Sequence, residues 1–152
     1  MPDMKILDIS CGNRAIWFDK AAATCTYIDR RTSVRPDIVA DSTKLPLMGP
    51  YDLIVFDPPH VNGGKNSNIA RDYGHHTTSD IKKIIHLSAK EAHRVSRPNA
   101  MMAFKWNDHD QKLERALELM APWWIPLFGH SVSMRTKHSS QTYWMLLLRG
   151  AG

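Results

Sequence analysis

An α/β fold built on a mostly parallel sheet is what this sequence predicts, and three features carry that prediction. Short apolar runs recur along the chain without the in-and-out alternation of a half-solvated strand, as expected of strands covered by helices on both faces. Amphipathic segments at helical spacing stand between some of them. The first four runs stop at an aspartate, Asp8, Asp29, Asp41 and Asp57, and the carboxyl ends of parallel strands are where such sheets meet their ligands.

The elements follow in chain order. Residues 4–10 (MKILDIS) form the first apolar run, and Ile16, Trp17 and Ala21 predict a short helix at roughly 14–22. Residues 24–29 (TCTYID) and 36–41 (PDIVAD) are the next two strands. The stretch from Asp29 to Pro36 is too short for a crossover helix, so a plain loop is expected there. Residues 51–57 (YDLIVFD) are the fourth strand. Ile81, Ile84, Ile85, Ser88, Ala89, Ala92 and Val95 then share one helical face, with Thr78 or Ser79 as the expected cap and Pro98 as the stop. Residues 100–106 (AMMAFKW) are a fifth strand, and Leu113, Ala116, Leu117 and Met120 mark a second helix. Residues 124–129 (WIPLFG) are a weaker strand, which Pro126 assigns to an edge or a bulge, and residues 142–148 (TYWMLLL) complete a set of seven. Trp17, Trp123 and Trp124 suit either the core or an exposed dimerisation patch.

Length and composition narrow the function. The 152 residues are expected to form one domain, 1–152, and the 43% hydrophobic and 23% charged content is that of a globular protein. No apolar run is long enough to span a membrane, and no secretory signal pattern stands at the N-terminus. Cys11 and Cys25 have neither metal-ligand nor disulfide-framework spacing, so a reducing cytoplasm is the default expectation. The eight histidines are scattered apart from His75 and His76, and no ligand cluster argues for a metal. A net charge of +5 suits a polyanionic partner.

The first turn, LDISCGNRAIW, has Gly12 where backbone must approach a ligand closely. Asp29 follows Asp8 at the spacing of an acidic group that takes a ribose diol. Ser10 and Arg14 stand where a pyrophosphate cradle wants glycines, which argues against a nicotinamide dinucleotide. NGGKN (62–66) lacks the upstream glycine and the hydroxyl residue of a phosphate-binding P-loop.

With these residues in place, the chain resembles the class I S-adenosylmethionine-dependent methyltransferases over nearly its whole length. Asp8-Ile9-Ser10-Cys11-Gly12 is similar to their first motif, Asp29 to their ribose-binding acid, and Asp41-Ser42 to the group that hydrogen-bonds the adenine. Asp57-Pro58-Pro59-His60 resembles the Asp-Pro-Pro-aromatic motif of amino-methyltransferases, with histidine at the aromatic position. The combination CGNR…WFDK, FDPPH, GGKNS and FKWN is most similar to small phage- and prophage-type members. The resemblance implies a Rossmann-like fold of trimmed helices, its seven-stranded sheet ending in an antiparallel strand. It implies S-adenosylmethionine as cofactor, S-adenosylhomocysteine as product, and a cofactor site of Asp8, Ser10, Cys11, Gly12, Asn13, Asp29, Arg30, Asp41 and Ser42. Arg14 has two readings, a ligand of the methionine carboxylate or an ordinary first-turn arginine.

The same motif has a direct chemical reading. The lone pair of an exocyclic amine is delocalised, so its nitrogen is planar and a poor nucleophile. Two acceptors that take its N–H hydrogens draw it toward a tetrahedral form with the lone pair facing the methyl donor. Asp57 is one such acceptor and the Pro58 carbonyl the other, held extended by the successive prolines Pro58 and Pro59. His60 is then the stacking floor for a flat base.

Substrate contacts are expected from two basic loops, 60–77 with Lys65, Arg71, Tyr73, His75 and His76, and 130–142 with Arg135, Lys137 and His138, together with Lys105, Trp106 and Asn107 at the end of the fifth strand. The expected function is methylation of an exocyclic amino group of a nucleic acid base, adenine N6 first, in RNA or DNA. Target recognition is expected to come from RNA shape, loose single-strand binding, a homodimer or a partner protein. Cytosine N4, guanine N2 and a protein amide remain open as acceptors, as does a non-catalytic binding module on the same fold.

Overall fold

The structure, a computed structural model, describes residues 3–59, 76–132 and 140–152. His60, Lys65, Arg71, Tyr73, His75, Arg135, Lys137 and His138 lie outside the described residues. The strands are β1 (Ile6–Asp8), β2 (Cys25–Asp29), β3 (Ile38–Val39), β4 (Tyr51–Phe56), β5 (Ser96–Asn107), β6 (Trp124–Val132) and β7 (Thr142–Arg149). The described residues also form two α-helices, α1 (Thr78–Arg94) and α2 (Leu113–Met120), and a 3-10 turn at Thr32–Val34. One sheet runs in the order β3-β2-β1-β4-β5-β7-β6, parallel throughout except for β7, which is antiparallel to both its neighbours. Chain order reverses between β1 and β4, so the crevice expected of an open α/β sheet lies beyond Asp8 and Asp57.

Both helices pack on the same face. Ile81, Ile85, Ala89 and Ala92 of α1, with Ala116 and Met120 of α2, close over Ile54, Phe56, Met102, Phe104, Trp106 and Leu147. Each large side chain so buried contributes about 1.5–3 kcal/mol. Trp124 is core, its indole N–H donating to the Ala89 carbonyl at 2.9 Å, and Trp123 packs edge-on to His86. Thr77 caps α1 in a reciprocal box with Asp80, one residue before the expected Thr78 or Ser79. The helix ends at Arg94, and Pro98 stands inside β5, which starts four residues earlier than the apolar pattern indicates.

No helix forms at 14–22; the segment is a series of turns. Gly12 and Arg14 have φ of +50° and +56°, which no right-handed helix accommodates. Trp17 folds over Tyr27 with ring centroids 5.2 Å apart, and a small second core forms there around Cys11, Cys25 and Tyr27. This layer covers the second face of the sheet at β1 and β2. On the other half of that face, the rows Met101–Leu148–Ile125 and Ala103–Leu146–Phe128 cross β5, β7 and β6 with no helix above them among the described residues. As Pro126 indicated, β6 is an edge strand, with a register shift between Pro126 and Phe128. Among the described residues no helix is long and apolar enough to cross a membrane.

Candidate active site

The crevice is built from the ends of β1, β2 and β4. Asp8, the last residue of β1, is buried, and its carboxylate accepts the Ser10 backbone N–H at 3.0 Å and the Trp17 indole N–H at 2.8 Å. Burial raises its pKa from 3.8 to about 6, against the two hydrogen bonds, with the charges of Asp57 and Asp29 adding to the rise. Asp8 thus feels the charges of two other aspartates at neighbouring strand ends, Asp29 after β2 and Asp57 after β4.

Asp29 closes β2. One carboxylate oxygen accepts the Arg31 backbone N–H at 2.9 Å and the Arg31 Nε at 3.1 Å. The other accepts the Gly12 N–H at 3.0 Å and the Arg31 Nη2 at 3.2 Å. Burial pushes its pKa up, but the Arg31 side-chain and backbone hydrogen bonds outweigh it and hold the group below the usual carboxylate range. The positive φ at Gly12 turns its N–H toward Asp29. Asn13 is exposed on the same turn.

Ser10 joins the two halves of the crevice. The Asp57 backbone N–H donates to Ser10 Oγ at 2.7 Å, so the turn after β1 is bonded to the start of the Asp-Pro-Pro segment. Asp57 is partly exposed and its carboxylate lies 3.4 Å from Lys105 Nζ, which brings this expected substrate residue to the expected acceptor. Pro58 is buried behind it and Pro59 partly so. Trp106 instead points into the helix-covered core, with its indole N–H on the Gln111 carbonyl, and Asn107 braces the strand end through Thr142 Oγ1 and the His109 N–H.

The remaining expected cofactor residues are spread further. Asp41 is exposed and caps its own turn, accepting the Thr43 N–H and hydroxyl at 2.8 and 2.7 Å. Ser42 Oγ is 2.7 Å from Ser88 Oγ on α1. Arg30 Nη2 is 3.0 Å from Nε2 of the buried His76. Cys11 and Cys25 are buried, which pushes both thiols up to about 12, so neither is a thiolate nucleophile. Arg14 is not solvated: its guanidinium donates to the Lys20 and Arg35 carbonyls and lies 3.9 Å over the Tyr27 ring. Sequence reasoning missed Trp17 as the partner of Asp8 and Arg31 as the clamp on Asp29. The only available signal for the clamp was an arginine two residues after a strand-end acid.

No protein-family model matches the chain, and no curated protein matches it in sequence. Solved structures do match in three dimensions. The N-methyltransferase NodS from Bradyrhizobium japonicum WM9, in complex with S-adenosylhomocysteine, superposes with a TM-score of 0.65 at 13% identity over 98% of this chain and 79% of that one. A S-adenosylmethionine-dependent methyltransferase from Methanosarcina mazei does so with a TM-score of 0.67 at 13% identity, over 100% of this chain and 95% of that one. The [4+2]-cyclase SpnF matches with a TM-score of 0.66 at 14% identity, over 98% and 75%. Strand order, the antiparallel β7 and these superpositions agree: the chain has the Rossmann-like fold of the S-adenosylmethionine-dependent methyltransferases.

Proposed function

We propose that the chain is a S-adenosylmethionine-dependent N-methyltransferase acting on an exocyclic amino group of a nucleic acid base, with adenine N6 the first candidate. The observation that carries the reading is Asp57-Pro58 at the topological switch point, hydrogen-bonded through Ser10 Oγ to the turn that faces the cofactor crevice. The donor set fits the cofactor: three carboxylates around one crevice complement a sulfonium cation. Asp29 is the group to take the ribose hydroxyls, and it does so by exchanging its Arg31 bonds for them. When bound, the cofactor supplies an electrophilic methyl group.

The residues of the chain prepare the acceptor. Lys105 lies 3.4 Å from the Asp57 carboxylate, which accepts one amine N–H. The Pro58 carbonyl accepts the other, and the nitrogen lone pair turns toward the methyl group. The net charge of +5 and the basic loops expected at 60–77 and 130–142 support a polyanionic substrate. NodS carries the name of an N-methyltransferase, in keeping with nitrogen as the acceptor.

The test is labelled methyl transfer to RNA and DNA oligonucleotides, with calorimetric titration of S-adenosylhomocysteine alongside. Asp57→Ala should retain cofactor binding and lose transfer by about 100-fold or more, whereas Asp29→Ala should lose binding. Full turnover in Asp57→Ala refutes the assigned role. A second reading, a binding module without transfer, is favoured by the saturation of Asp29 by Arg31 and Gly12. It predicts no S-adenosylhomocysteine binding by the folded protein.

A further inference from the structure

The half of the sheet made by β4, β5, β7 and β6 carries apolar side chains on both faces, and among the described residues helices cover only one of them. On the open face, Met101 is 40% exposed, Ile125 51% and Phe128 67%. Leu146 and Leu148 lie between them in register, and Leu53 of β4 extends the Met101 row. Leu127, at the bulge, and Val132, at the end of β6, are also exposed. At roughly 200 Å² per large side chain, the five most exposed residues present about 500 Å². That is at the upper end of what a monomer usually leaves contiguous, where such patches commonly mark interaction sites.

We infer that this open face is an interface between two copies of the chain, packed sheet against sheet. Charge selects the occupant. Among the described residues of these rows the charged groups are Lys105 and Asp57, paired with each other at the crevice end, so a polyanion finds little net charge to bind. The edge strand β6, WIPLFGHSV, has no lysine, arginine, aspartate or glutamate, and so lacks the charges that keep solvated edges apart. A neutral apolar surface is complementary to itself. Its relief is too: in the row Ala103–Leu146–Phe128 a small residue and a projecting ring stand two strands apart, on either side of β7. A copy turned over about an axis along β7 sets its Phe128 above the hollow at Ala103 and receives the other Phe128 in return, as an isologous two-fold contact requires. The inference stands apart from the proposed chemistry, since it uses neither the cofactor nor the substrate.

Sedimentation velocity of the full chain across the micromolar range tests it, with Phe128→Glu and Ile125→Glu as variants. Both positions are solvent-exposed in a single copy, and circular dichroism and the melting temperature report whether each variant folds. The expected result is a species of twice the 17.3 kDa chain mass for the wild type, and folded monomers for both variants. A wild type that stays monomeric at the highest concentration overturns the inference, as does a dimer that both folded variants leave intact. A monomer whose binding to a single-stranded oligonucleotide is lost on Phe128→Glu also overturns it, and assigns the face to nucleic acid.

Discussion

Asp8→Asn is the most informative single change to the crevice. The folded-state pKa of Asp8 stands at about 6 against 3.8 for the free side chain. Between those values the folded protein keeps a proton that the unfolded chain has released. Stability therefore falls as pH rises through that window and is level above it. At 1.36 kcal/mol per unit, the ionised buried carboxylate costs the fold about 3 kcal/mol at neutral pH. Asparagine removes that cost but leaves one acceptor oxygen for two donors, the Ser10 N–H and the Trp17 indole N–H, a loss of about 1–2 kcal/mol. The variant should thus be about 1–2 kcal/mol more stable than wild type at pH 7.5 and less stable by a similar amount at pH 4. Urea unfolding followed by circular dichroism at several pH values measures this. The variant-minus-wild-type difference removes the groups that do not couple to Asp8, and leaves Asp8 with its weaker coupling to Asp57 and Asp29. A difference that does not change sign or slope between pH 4 and pH 7.5 refutes the reasoning.

Three further outcomes follow from named contacts. Arg31→Ala removes the guanidinium that occupies both oxygens of Asp29; calorimetry should show S-adenosylhomocysteine binding more tightly, and weaker binding would make Arg31 a ligand in its own right. Gly49 has φ +75°, and a Cβ there would collide with the Val95 carbonyl. Gly49→Ala should cost about 3 kcal/mol, read as a lowered denaturation midpoint. Backbone amide exchange should be faster over residues 11–24 than in α1 or β5, since turns and a small core around Cys11, Cys25 and Tyr27 hold that segment rather than a helix or strand ladder.

The strands and both helices were legible because burial imposes a period on the sequence: the α1 face from Ile81 to Ala92 and the unalternating runs of β4 and β5 are direct records of it. The placement of Asp8, Asp29 and Asp57 at one crevice follows from parallel topology alone. What the sequence hid depends on backbone geometry. Ile16, Trp17 and Ala21 have helical spacing, yet positive φ at Gly12 and Arg14 and the demand of Asp8 for a donor send Trp17 elsewhere. The Arg31 clamp needs the tight turn after β2 to be known first. The unalternating runs of β5 and β7 indicated two covered faces, while among the described residues helices cover one.

The 2.7 Å bond from the Asp57 N–H to Ser10 Oγ makes the crevice a lever with one fulcrum. Any ligand that shifts the turn after β1 drags the Asp-Pro-Pro backbone with it, and the Pro58 carbonyl is the next acceptor along that backbone. On the proposed function, the seating of the cofactor and the aim of the Asp57 and Pro58 oxygens share one hydroxyl. Ser10, which departs from a glycine-rich phosphate cradle, instead gives the chain a mechanical link between the turn after β1 and the Asp-Pro-Pro backbone.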